Sequence, residues 1–148
     1  MQTLQLSRTS CRIAGILLLS IVAIESGGLY LTRVASGAVE LTSFQVAFSR
    51  AGHAHAGVLV TLSLIALVLA DATSLGGVSG HLVRAAIPVA AIGMSAGFFL
   101  SSMGEGRTSP NGLVVVLWLG AACLTIGVVA LGLALLRTGF SRASSDVP

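Results

Sequence analysis

The segment Leu113–Leu136, LVVVLWLGAACLTIGVVALGLALL, decides the fold class of this chain. It contains no charged residue, and Arg137 follows it directly. Because a helix rises 1.5 Å per residue, about 20 mostly apolar residues cross the hydrocarbon layer of a bilayer. The segment therefore predicts a membrane-spanning helix.

Three further apolar stretches predict three more spans. The 148-residue chain is 55% hydrophobic and 9% charged, with a mean hydropathy of +0.98, whereas soluble domains carry about 25% charged residues. We predict an all-α integral membrane four-helix bundle that forms one domain over residues 1–148. The lipid bilayer is its first predicted partner. The predicted spans are about 13–31, 53–70, 82–103 and 113–136.

The distribution of arginines predicts the orientation. All eight basic residues are arginines, and they lie at span ends rather than in one cluster, so we predict no nucleic-acid partner. Basic residues are enriched on the cytoplasmic side of membrane proteins. We therefore predict a cell-membrane protein with both termini in the cytoplasm. The cytoplasmic side then carries Arg8, Arg12, Arg84, Arg137 and Arg142, and the outer side carries Arg33, Arg50 and Arg107.

The first span has an alternative interpretation as a cleaved signal peptide. Arg8 and Arg12 precede an apolar run, and the small residues 36–38 resemble a cleavage site. That site lies well beyond the apolar run, with Arg33 between them. We therefore favour a retained first span.

The polar stretch Arg50-Ala-Gly-His53-Ala-His55-Ala-Gly57 stands at the entrance of the predicted second span. Polar groups there are costly unless they are satisfied or used. On a regular helix His53 and His55 point about 200° apart, so they share a metal only if the first turn is loosened. A helix start would favour the neutral imidazole that binds haem or metals.

Two interpretations of these histidines stay open. Either His53 or His55 ligates haem or a metal, or both are interfacial residues that bond to loop carbonyls. The third histidine, His81, is predicted at the opposite membrane face, so haem with two axial histidines would require a dimer.

Glu25 lies about 18 Å along the predicted first span, past the midplane. A carboxylate at that depth requires a cation or several hydrogen-bond donors, and Arg50, Arg107 or a histidine could supply them. Two structural alternatives are a protonated Glu25 bonded to a neighbouring helix and a helix that ends there, with Glu25 in the membrane interface. The connection between the third and fourth spans adds Glu105, Arg107 and Asn111, which form either an ordinary loop or a polar cap that holds an anion or a quinone carbonyl.

Small residues recur every four positions in the third span, at Gly93, Gly97 and Ser101. Such spacing lets helix backbones approach closely in lipid. We predict that this stripe packs inside the bundle, and a homodimer seam is the alternative.

Two motifs carry a resemblance to known proteins. Arg50-Ala-Gly-His-Ala-His-Ala-Gly-Val-Leu59 and Gly104-Glu-Gly-Arg-Thr-Ser-Pro-Asn111 resemble a family of small four-span actinobacterial membrane proteins. More distantly, the layout is similar to the hydroxylaminobenzene mutase family, in which a histidine and a glycine open the second span. The histidine spacing here departs from that family's pattern.

Three functions follow as hypotheses. The first is a binding or redox-accessory module that holds a small ligand, haem or metal at the outer mouth, where six side chains come together: Glu25, Arg50, His53, His55, Glu105 and Arg107. The second, implied by the mutase resemblance, is a membrane-bound isomerase with His53 or His55 as acid/base and Glu25 as proton partner. The third is a structural subunit of a larger membrane complex. The chain contains no complete catalytic motif, so the sequence does not decide whether it is an enzyme.

Overall fold

The computed structural model describes residues 5–73 and 75–145, with side chains up to residue 141; Arg142 therefore lies outside the described side chains. Within these ranges there are four helices and no strand: α1 (Arg8–Ala35), α2 (Ser43–Asp71), α3 (Gly77–Ser102) and α4 (Val114–Ser145). All four are long and apolar enough to cross a membrane. The predicted all-α four-helix membrane fold is confirmed, and the protein is a multi-pass membrane protein.

The largest difference from the predicted spans lies in α2, which begins at Ser43 rather than near His53. Thr42 and Gln45 form a capping box: the Thr42 hydroxyl accepts from the Gln45 amide, and the Gln45 side chain accepts from the Thr42 amide. Residues 43–52 are mixed in polarity, so hydropathy alone assigns them to a connection. His53 therefore lies about three turns inside a helix, beyond the reach of the helix-end charge.

The charged residues on two helices are spaced as the two faces of a bilayer require. Arg12 and Arg33 on α1, like Arg50 and Asp71 on α2, are separated by about 30 Å of helix, which is the thickness of the hydrocarbon layer. We call the level of Arg12 and Asp71 the Asp71 end, and the level of Arg33 and Arg50 the Gln45 end. Both connections at the Gln45 end, 36–42 and 103–113, meet there.

The helices α2, α3 and α4 form the packed part of the bundle. Buried apolar side chains of these three helices form one cluster that includes Ala66, Ile87 and Leu131. By contrast, α1 packs mainly on α2 and buries only Ser10 and Leu17. Most of the α1 surface is thus open to lipid.

Glycines bring α3 and α4 into backbone contact. A Cβ added at Gly97 would lie 2.5 Å from the Cα of Leu117, and one added at Gly93 would lie 3.2 Å from the Cα of Gly120. In the same stripe, the Ser101 hydroxyl donates to the carbonyl of Gly97, one turn earlier. The small residues of the third span therefore lie on the face of α3 that meets α4.

Candidate functional site

A hydrogen-bond network closes the bundle at the Gln45 end. The buried Gln45 side chain donates to the carbonyls of Ser102 at 3.1 Å and Gly104 at 2.7 Å. The Thr42 hydroxyl donates to the Arg107 carbonyl. These bonds join the start of α2 to the connection between α3 and α4. Gln45 is not among the site residues predicted from sequence, although the Thr-x-x-Gln pattern of its capping box was the available signal.

The polar residues of that connection mostly bind its own backbone. The Asn111 side chain donates to the Leu100 carbonyl at 2.9 Å and accepts from the Leu113 amide at 2.8 Å. The Arg107 guanidinium donates to the Ser109 carbonyl at 3.4 Å, and Glu105 is exposed without an ion pair in the described chain. Asn111 is therefore explained as a turn residue.

His53 occupies the seam between α1 and α2. A Cβ added at Gly28 would lie 3.4 Å from the Cε1 atom and 3.5 Å from the Nε2 atom of the imidazole, and one added at Gly27 would lie 3.4 Å from Nδ1. The two glycines thus form a notch for the ring edge that carries both nitrogens. Neither nitrogen has a hydrogen-bond partner within residues 5–73 and 75–145.

His55 faces a different neighbour. Its Nδ1 lies 2.8 Å from the Ala51 carbonyl in its own helix, and its ring centroid lies 4.9 Å from that of Phe98 on α3. Phe98 also makes an edge contact with Phe48 at 5.4 Å. His55 is therefore a member of an aromatic cluster, with one nitrogen hydrogen-bonded.

The regular helix separates the two imidazoles. Because α2 continues unbroken from Ser43 through Gly57, the loosened turn that could turn His53 and His55 to one side does not occur. One ring meets α1 and the other meets α3, as the predicted separation of about 200° requires. They cannot share a metal ion within one chain in this structure.

Glu25 and Arg50 flank the His53 notch without touching it. Both side chains are exposed, and neither has a hydrogen bond or ion pair in the described part of the chain. Glu25 lies roughly 100° around α1 from the face that carries Gly27 and Gly28, and Arg50 lies one turn before His53. The structure therefore forms no polar contact among these residues, and their action as one site stays a prediction.

The residues present do not fit haem or a metal held by one chain. Among the described residues, no three His, Cys, Asp or Glu side chains come together as a metal site. The nitrogen-bearing edge of His53 lies against the glycine notch, which leaves no space for a haem plane there unless α1 moves. His81 lies at the Asp71 end, so it cannot complete an axial pair.

A second polar centre, which the sequence analysis did not assign, joins three helices at the Asp71 end. Asp71 accepts from the Arg84 guanidinium at 2.6 and 2.9 Å and from the Ser7 amide at 2.8 Å. The Asp71 side chain is 3% exposed and that of Arg84 is 12% exposed. An acid that ends one span, followed by an arginine early in the next, was the available signal.

No protein-family profile, curated protein or solved structure matches this chain. The family resemblances of the histidine motif and the 104–111 connection therefore stay predictions.

Proposed function

We propose that this protein is a small-ligand-binding module of the cell membrane whose site is the α1–α2 seam around His53. One observation carries the proposal: the His53 imidazole lies in the seam with both nitrogens unpartnered in the described chain. Ionisable groups in the hydrocarbon region are costly and usually functional. A polar group that enters the seam as α1 moves outward would supply the missing hydrogen bonds, and α1 is free to move because it buries only Ser10 and Leu17.

The depth of these groups indicates the class of ligand. His53 lies about 5 Å, and Glu25 about 12 Å, inside the level marked by Arg50 and Arg33. A ligand that reaches them must enter from the lipid, so we propose an amphiphile with a hydrogen-bonding head group, such as a quinone. The arginine distribution predicts that both termini are cytoplasmic, and in that orientation the part of the seam around His53 lies in the outer leaflet.

The three histidines of the chain allow a direct test. Nitrogen-15 histidine labelling of the protein in lipid nanodiscs gives signals that His53→Gln and His55→Gln variants assign. On titration with decylubiquinone, we expect the His53 signals to shift and saturate while those of His55 and His81 stay in place. His55→Gln is the matched control, because it removes an imidazole from the same helix that already has a partner.

Two outcomes would overturn the proposal. One is an unchanged His53 signal at saturating quinone. The other is a Soret absorption band in the purified protein that is lost in His53→Gln and kept in His55→Gln. Such a band would show that the ligand bound at His53 is haem and not an amphiphile.

The isomerase hypothesis receives less support from the geometry. Acid/base catalysis by a histidine with Glu25 as proton partner requires a hydrogen bond between them, directly or through one water. Glu25 makes no hydrogen bond to His53 or His55, and His55 faces α3 on the other side of α2.

A specific observation favours a structural-subunit role as second candidate. The outward face of α1 carries Glu25 at membrane depth among exposed Leu19, Val22 and Leu29. Lipid covers apolar side chains well but solvates a carboxyl group poorly, so a partner helix with a polar group would relieve that cost. A photo-crosslinking residue at Val22 should then capture a partner in native membranes, whereas the same residue at exposed Ile126 on α4 should not.

A further inference from the structure

We infer that a cleft at the Asp71 end binds a phosphate group. The cleft lies at the opposite end of the bundle from the His53 notch and is independent of it. Its volume is about 210 Å³. It is lined by Ser7, Thr9, Leu75, Gly76, Gly77, His81 and Arg84.

The cleft presents hydrogen-bond donors whose positions are set by the protein. The Nδ1–H of His81 donates to the Gly77 carbonyl at 2.8 Å, which leaves Nε2 as an acceptor for the P–OH group of inorganic phosphate or of a phosphate monoester. Arg84 is anchored by Asp71 and by the Gly80 carbonyl, and each terminal nitrogen of its guanidinium retains one further N–H. The Thr9 hydroxyl has no partner in the described chain.

The local charge favours an anion. Arg8 and Arg12 are exposed on the first turns of α1, beside the cleft residue Thr9. Asp71 is the one acidic residue that the described chain places at this end, and its carboxylate is nearly buried and already paired with Arg84. The cleft therefore combines fixed donors with an excess of positive charge.

The volume of the cleft and its position along the bundle favour a phosphate-bearing head group as the ligand. Sites for drug-sized molecules occupy roughly 300–1,000 Å³, so this cleft suits a head group rather than a whole cofactor. It lies at the level of Asp71, where the hydrocarbon layer ends and lipid phosphates begin. The phosphate of an anionic lipid and free inorganic phosphate share this chemistry.

Native mass spectrometry of the detergent-purified full chain tests the inference. The probes are phosphatidic acid, phosphatidylcholine and inorganic phosphate. His81→Ala removes an exposed side chain that lines the cleft, and Arg12→Ala removes an exposed charge of α1 that does not. We expect His81→Ala to weaken binding of the phosphate probe by roughly tenfold, as for loss of one hydrogen bond to a charged group, and Arg12→Ala to weaken it by about twofold.

The probes separate the two sources of phosphate. Binding of phosphatidic acid without inorganic phosphate would assign the cleft to a lipid head group, and binding of inorganic phosphate would assign it to the free ion. Equal losses in His81→Ala and Arg12→Ala would overturn the inference, because they would show general attraction to a basic surface. The inference would also be overturned if the parent chain bound none of the probes. Equal binding of phosphatidylcholine and phosphatidic acid by both variants would overturn it too.

Discussion

Replacing Gly97 with alanine tests the close contact between α3 and α4. The added Cβ would lie 2.5 Å from the Cα and 2.6 Å from the Cβ of Leu117. Carbon atoms in favourable contact are about 3.5–4.0 Å apart, so the two helices must separate by about 1 Å. The atoms that would have to move are largely backbone, which cannot change rotamer to make room.

The cost follows from two opposing effects. Overpacking of a filled contact costs about 1–3 kcal/mol. Alanine recovers up to about 1 kcal/mol through its higher helix propensity. We therefore expect Gly97→Ala to lower the free energy of unfolding by about 1–2 kcal/mol. Gly132→Ala is the matched control because its added Cβ would meet no side chain and no other helix within 4 Å, so it should leave stability unchanged or raise it.

The assay is unfolding of the purified protein by increasing mole fractions of dodecyl sulfate. Trp118, the one tryptophan of the chain, lies on α4 and reports the transition by fluorescence. Indistinguishable unfolding curves for Gly97→Ala and Gly132→Ala would refute the close contact of α3 with α4.

Three further predictions concern the two ends of the bundle. Asp71→Ala should lower the free energy of unfolding by about 3 kcal/mol, because it leaves the Arg84 guanidinium unpaired, and adding Arg84→Ala should cost less than the sum of the single changes in the same assay. Gln45→Leu, which leaves two α3-end carbonyls without their donor, should cost about 1–3 kcal/mol and speed proteolysis in the 103–113 connection; an unchanged cleavage rate would contradict this. For orientation, a Ser109→Cys variant should react with an impermeant maleimide in intact cells. The parent chain, whose Cys11 is exposed near the Asp71 end, should react only after permeabilisation.

Some features of the site could be predicted from the sequence because they depend on local helix geometry alone. The separation of His53 and His55 follows from the rotation per residue of a helix, and it holds once α2 is regular. The start of α2 was misplaced because hydropathy responds to lipid exposure, whereas the capping box that begins the helix acts through hydrogen bonds. A search for that pattern would have placed the start correctly.

The hydrogen-bond and packing partners of the polar residues could not be predicted from local geometry. The two histidines are equivalent candidates in the sequence, yet His55 lies against Phe98 and His53 against Gly27 and Gly28. Arg107 was grouped with Glu25, although its carbonyl binds the Thr42 hydroxyl and its guanidinium binds within its own connection.

The sequence by itself determined the number of helices, their order and their membrane character. Each of these depends on the transfer of one segment into lipid, which the composition of that segment decides. Only the tertiary structure decided which polar groups are satisfied: Asp71 by Arg84 and Ser7, Gln45 by the end of α3, and His53 by no described residue. The reason is that a hydrogen bond between helices requires a particular rotation and height of both, and neither is encoded in the hydropathy of one span.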